Sequence, residues 1–116
     1  MGENTSKMPA YLDVRQPIDK RVNDLLERMT LEEKIGQMSN RAAEHDGSSG
    51  ECEALVRQGK VGSFFNVYGA EWTNRLQGIA VEQSRLGIPL IFGLDVIHGY
   101  STIFPIPLAL ASSWDP

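Results

Sequence analysis

The order of three short patterns constrains this chain more than any other feature. They are an apolar run at residues 61–67 (VGSFFNV), a helical pattern, and a second apolar run at residues 90–94 (LIFGL). Runs that are apolar at nearly every position, rather than alternating, belong to strands buried on both faces, as in parallel sheets. Between the runs, Trp72, Leu76, Ile79, Ala80 and Leu86 recur at helical spacing, which predicts a helix over 70–86 closed by Gly87. Strand, helix and strand within about 35 residues form a βαβ unit, because parallel strands cannot be joined by a tight hairpin. An α/β fold follows.

Upstream, Val22, Leu25, Leu26 and Met29 mark one face of a helix starting near Asp19, with Lys20, Arg21, Asp24 and Glu27 on the other. Thr30, Leu31, Glu32 and Glu33 then spell a capping box, in which hydroxyl and carboxylate satisfy each other's orphan backbone donors. A second helix therefore starts at Thr30. Residues 35–38 are too few to settle by periodicity and leave open a passage into a first strand. Asp46, Gly47, Ser48, Ser49 and Gly50 read as a flexible loop, and residues 51–58 as a short helix ended by Gly59. Residues 1–18, with Pro9 and Pro17, read as an extended leader, and residues 19–116 as part of the folded domain.

Composition excludes several classes. A net charge of −4 and a pI near 5.1 give no electrostatic reason to expect nucleic acid or an anionic membrane surface as a partner. No stretch approaches the roughly 20 apolar residues of a membrane span, and the polar start lacks a signal peptide's apolar centre, which slightly favours the cytoplasm over a secreted or periplasmic location. Cys52 is the one cysteine, so no internal disulfide forms; its helix reads as a surface one. His45 and Asp46 sit in the polar loop without further ligands at metal spacing, and no glycine-rich nucleotide loop occurs, so no metal or cofactor is expected. The sequon at Asn4 reads as a chance match.

Asp95 ends the second apolar run. A carboxylate at the C-terminal end of a parallel strand faces the crevice where open α/β sheets and barrels bind ligands. The competing reading is a cap on the turn at residues 96–99, which Asp forms readily, and the residue pattern leaves both open. His98 reads as a general base, a ligand donor or a structural residue; Tyr100 and Phe104 as a pocket floor or as packing for their own loop. Pro105 and Pro107 predict a rigid extended segment over the end of the sheet. Ser112 to Pro116 reads as a helix start, with Asp115 as N-cap and Pro116 in the first turn.

Three blocks, RVNDLLERMTLEEKIGQM, GKVGSFFNV and GIPLIFGLDVIHGYSTIFPIPLALASSWDP, together resemble the N-terminal part of glycoside hydrolase family 3, especially its β-glucosidase and β-xylosidase branch. DVIHG followed by TIFPIPLALASSWDP is the most particular of these. The resemblance implies a TIM-type (β/α)8 barrel, of which this chain would hold the first few units, followed by an α/β sandwich domain. It implies retaining hydrolysis that releases β-linked glucose, or a related sugar, from the non-reducing end. By position, Asp95 matches the acidic residue that binds sugar hydroxyls in the −1 subsite, with His98 and Tyr100 as candidate lining residues. The family's nucleophilic aspartate and acid/base glutamate lie in later motifs that do not occur here, so no catalytic residue is expected in this chain and no turnover from it alone. Val96, Ile97, His98 and Gly99 stand where the N-acetylhexosaminidase branch has a Gln-Glu-Gly-Gly type motif, which favours the glucosidase branch. The alternative function is a non-catalytic sugar-binding or scaffold module.

Overall fold

The computed structural model describes residues 8–43 and 50–115. In chain order the elements are α1 (Ile18–Arg28), α2 (Leu31–Met38), β1 (Asn40–Ala42), α3 (Gly50–Arg57), β2 (Ser63–Phe65), α4 (Ala70–Gln83), β3 (Ile91–Gly93) and α5 (Pro107–Ala111), after a single 3-10 turn at Ala10–Leu12. The strands form one parallel sheet in the order β1-β2-β3, with Arg41, Phe64 and Phe92 in register across it. The fold is α/β, as the strand–helix–strand order predicts.

The capping box forms as read: Thr30 Oγ1 accepts from the Glu33 N–H at 3.2 Å and the Glu33 carboxylate accepts from the Thr30 N–H at 2.9 Å. Residues 35–38 complete α2, and the first strand follows at Asn40, which resolves the ambiguity left by their short pattern. Gly36 and Gly62 let the end of α2 lie directly against the segment that enters β2. A Cβ on Gly36 would lie 2.0 Å from the Gly59 carbonyl oxygen, and one on Gly62 would lie 2.4 Å from that of Gln37. Only glycine allows the two backbones this approach.

Helices α3 and α4 cover one face of the sheet. Phe64 and Leu76 are fully buried there, joined by Val56, Val61, Val67, Ile79, Ala80 and Leu90. Cys52 belongs to this core although its helix reads as a surface one, because α3 turns its 52 and 56 positions inward together. Glu53 ties the helices together outside the core, accepting from Arg75 at 2.6 Å and from Arg57 at 2.9 Å. The start of β3 is held by Gln77 on α4, whose amide accepts from the Leu90 N–H at 2.6 Å and donates to the Leu90 oxygen at 3.2 Å.

Several boundaries differ from the sequence expectation. Gly50 opens α3 instead of closing the loop; residues 44–49, including His45 and Asp46, lie outside the described residues, as do Asn4 and Pro116. Helix α4 stops at Gln83, before Leu86, because the Ser84 hydroxyl donates back to the Ala80 oxygen and accepts from the Gly87 N–H at 3.2 Å. Strand β3 is not buried on both faces: Ile91 is 73% exposed, since α3 and α4 pack against one face and no described element covers the other. Pro107 does not extend the loop but opens α5, where its missing N–H is no loss. That helix ends before Ser112, and residues 113–115 are non-helical, with Trp114 at a φ of 56°; the helix start read at Asp115 and Pro116 falls at the edge of the described residues.

The radius of gyration is 19.1 Å, against about 13 Å for a compact domain of this length. None of residues 95–115 is buried.

Candidate functional site

Parallel pairing decides what can meet at each end of the sheet. The Ile91 N–H donates to the Gly62 oxygen at 3.2 Å, and the Asn66 N–H donates to the Gly93 oxygen at 3.0 Å, so β2 and β3 leave the sheet side by side. Residues just after Phe65 and just after Gly93 are thereby neighbours. Asn66 turns the chain there with a φ of 65°, a left-handed conformation that asparagine tolerates better than most residues. Its Oδ1 accepts a long hydrogen bond, 3.4 Å, from the Asp95 N–H.

Around this junction lies an open cleft of about 390 Å³ lined by Asn66, Tyr68, Leu94, Asp95 and Tyr100. The Tyr68 and Tyr100 rings meet edge to face, 6.1 Å between centroids at 64°, a favoured aromatic geometry. Asp95 is exposed, and its carboxylate accepts no hydrogen bond from the described residues. The turn at residues 96–99 closes through backbone alone, Gly99 N–H to Val96 oxygen at 3.1 Å. The capping alternative for Asp95 is therefore not what this fold uses, and the carboxylate stays available to a ligand.

His98 and Phe104 are placed differently. His98 is exposed and does not line the cleft; its backbone oxygen accepts from the Phe104 N–H at 2.6 Å, closing a small loop through Ser101 at a φ of 63°. Phe104 likewise lies off the cleft. Of the sequence candidates, the structure brings Asp95 and Tyr100 together and leaves His98 apart. Asn66 and Tyr68 escaped the sequence reading; the available signal was an asparagine directly after an apolar strand, where a left-handed turn is needed.

A second groove, about 410 Å³, is lined mainly by Tyr11, Val22, Leu25, Leu86 and Pro89. It is slightly larger, but its residues 86–89 precede β3 and so mark the amino end of the strands. Ligands of α/β sheets bind at the carboxyl ends, which favours the Asp95 cleft. The carboxylates whose pKa is lowered by partners also lie elsewhere. Glu33 is lowered chiefly by its hydrogen bond from Arg85, Glu53 by Arg75, and Asp13 by Arg15. These are structural ion pairs, which perturb acids as active sites do. Among the described residues, no group of three or more His, Cys, Asp or Glu could hold a metal ion.

Architecture and cleft define an α/β unit with a parallel sheet and an exposed carboxylate at the carboxyl ends of its strands. Residues 30–116 match the N-terminal domain of glycosyl hydrolase family 3, and the chain belongs to that family. It is 40% identical over 97 residues to a periplasmic β-glucosidase of Salmonella typhimurium, covering 84% of this chain and 13% of that protein. It is 35% identical over 106 residues to β-glucosidase C of Emericella nidulans, with 81% of this chain and 17% of the relative covered. A periplasmic β-glucosidase/β-xylosidase of Dickeya chrysanthemi is 30% identical over 126 residues, at 93% and 19%. The chain thus spans less than a fifth of the length of these relatives. Among the described residues no helix is long and apolar enough to cross a membrane.

Proposed function

We propose that this chain is the first part of the TIM-type barrel of a retaining glycoside hydrolase, which releases β-linked glucose or a related sugar from non-reducing ends. In this reading residues 1–18 are a leader, and residues 19–116 supply the opening β/α units and one wall of the −1 sugar subsite. The observation that carries it is the exposed Asp95 carboxylate at the end of β3, which accepts no hydrogen bond from the described residues, in a cleft edged by two tyrosines.

The chemistry narrows the role of Asp95. Retaining hydrolysis takes two carboxyl groups about 5 to 5.5 Å apart, one as nucleophile and one as acid/base. The position of Asp95 matches the family's sugar-hydroxyl ligand, and in this reading it binds sugar rather than serving as half of the catalytic pair. As a charged, acceptor-only group it receives two sugar hydroxyls, each such bond contributing about 1.5 to 3 kcal/mol. Tyr100 and Tyr68 offer apolar ring surface to the C–H face of the sugar. The nucleophile and acid/base belong to family motifs that these 116 residues do not contain. The substrate is a β-glucoside or related oligosaccharide. Two relatives named periplasmic favour a compartment outside the cytoplasm, against the slight cytoplasmic preference drawn from the polar N-terminus.

The test is Asp95→Asn in the complete polypeptide that carries this segment, assayed on a chromogenic aryl β-glucoside. Loss of the charged acceptor should lower kcat/KM by about 100-fold or more, equivalent to about 2.7 kcal/mol. A variant within two-fold of wild type would remove Asp95 from the subsite. The 116-residue chain alone should show no turnover.

A further inference from the structure

We infer that Asn66 is a second sugar-binding residue of this cleft, donating through Nδ2 to a hydroxyl of the sugar that Asp95 holds. The inference rests on the reading of the cleft as a glycoside subsite and adds a residue to it.

Three observations converge on Asn66. It lines the Asp95 cleft from the end of the neighbouring strand. Its backbone sits at a φ of 65°, and left-handed backbone at a non-glycine residue carries a cost that concentrates where geometry serves function. Finally, its amide is oriented by chemistry: the Asp95 N–H can only donate, so the atom facing it is Oδ1. Nδ2 is then directed away from that contact, and it makes no hydrogen bond to any described residue.

The pairing also supplies what Asp95 lacks. A carboxylate accepts but cannot donate, whereas each sugar hydroxyl carries one donor and two acceptor sites. Asp95 satisfies hydroxyl hydrogens; Asn66 Nδ2 satisfies a hydroxyl lone pair. An amide and a carboxylate side by side therefore read both halves of a hydroxyl, and selection against a substrate lacking that hydroxyl follows, because the amide would be left unpaired.

The experiment uses the complete enzyme with Asn66→Gly, Asn66→Asp and Asp95→Asn, assayed against an aryl β-glucoside and its set of monodeoxy analogues. Asn66→Gly keeps the left-handed turn and removes the amide. Asn66→Asp keeps an acceptor for the Asp95 N–H and removes the donor. Both should lower kcat/KM about 10-fold or more on the full glucoside, and the loss should fall below about two-fold on one deoxy analogue only. Equal losses on every analogue, or variants within two-fold of wild type while Asp95→Asn is impaired, would overturn the role of Asn66 and leave the glycosidase reading standing. A wild-type enzyme without glycosidase turnover would overturn both. Failure of both Asn66 variants to fold would assign the residue to the backbone turn and overturn the binding role.

Discussion

Phe64 on β2 and Ile91 on β3 are large apolar residues on adjacent strands of one sheet, yet Phe64 is 1% exposed and Ile91 is 73% exposed. The contrast extends to the regions around them. Residues 50–93 hold nearly all the buried core, closed by α3 and α4. Residues 95–115 carry Val96, Ile97, Ile103, Phe104, Leu108 and Trp114 and bury none of them. Apolar content alone does not distinguish the two; what differs is whether a second element lies within reach to cover it. Stability therefore resides in the first region, while the second begins with the exposed Asp95.

Paired substitutions would break or sharpen that contrast most directly. Leu76→Ala removes a fully buried side chain and should cost about 2 to 5 kcal/mol, read from urea unfolding of the 116-residue chain, whereas Ile91→Ala should stay within about 0.5 kcal/mol. Equal costs would mean that Ile91 is covered in solution. Next in size, Gly36→Ala should cost about 1 to 3 kcal/mol, because its Cβ meets backbone at 2.0 Å and neither backbone can yield easily.

Thr30→Ala should cost about 1 kcal/mol through loss of the capping box, with circular dichroism showing the loss confined to a fraction of the helix signal. The smallest effect is acid dependence of the Glu33–Arg85 pair, which also ties α1 through Arg85 to the Arg28 oxygen at 2.8 Å. The folded state lowers the Glu33 pKa, so the pair stabilises above the ordinary carboxylate value and the gain is lost as pH falls below about 4 through the folded value. Arg85→Ala should narrow the difference between the urea midpoints at pH 7 and pH 3; an unchanged difference would remove the pair from the acid response.

Local patterns were legible wherever adjacent residues settle the matter. The capping box at Thr30, the amphipathic face of α1 and the helix stop at Gly59 follow from side chains within one or two turns. Asp95 was legible as a site candidate for the same reason: it ends an apolar run. The cleft around it was less so. Tyr68 reaches Tyr100, and Asn66 reaches Asp95, only because β2 and β3 pair in parallel with Phe65 opposite Gly93. That Cys52 faces the core was not legible, because a short helix with apolar residues at 52, 55 and 56 does not reveal which side meets the sheet.

By itself the sequence determined the α/β class, the helix starts that are fixed by capping chemistry, and the strand-end position of Asp95. Those depend on interactions among residues close in the chain, where hydrogen-bonding geometry leaves few choices. Tertiary structure alone decided that one face of β3 is open, that His98 does not line the cleft, and that Asn66 and Tyr68 join it. Those depend on strand register and on which element covers which face, contacts across tens of residues that no local pattern encodes.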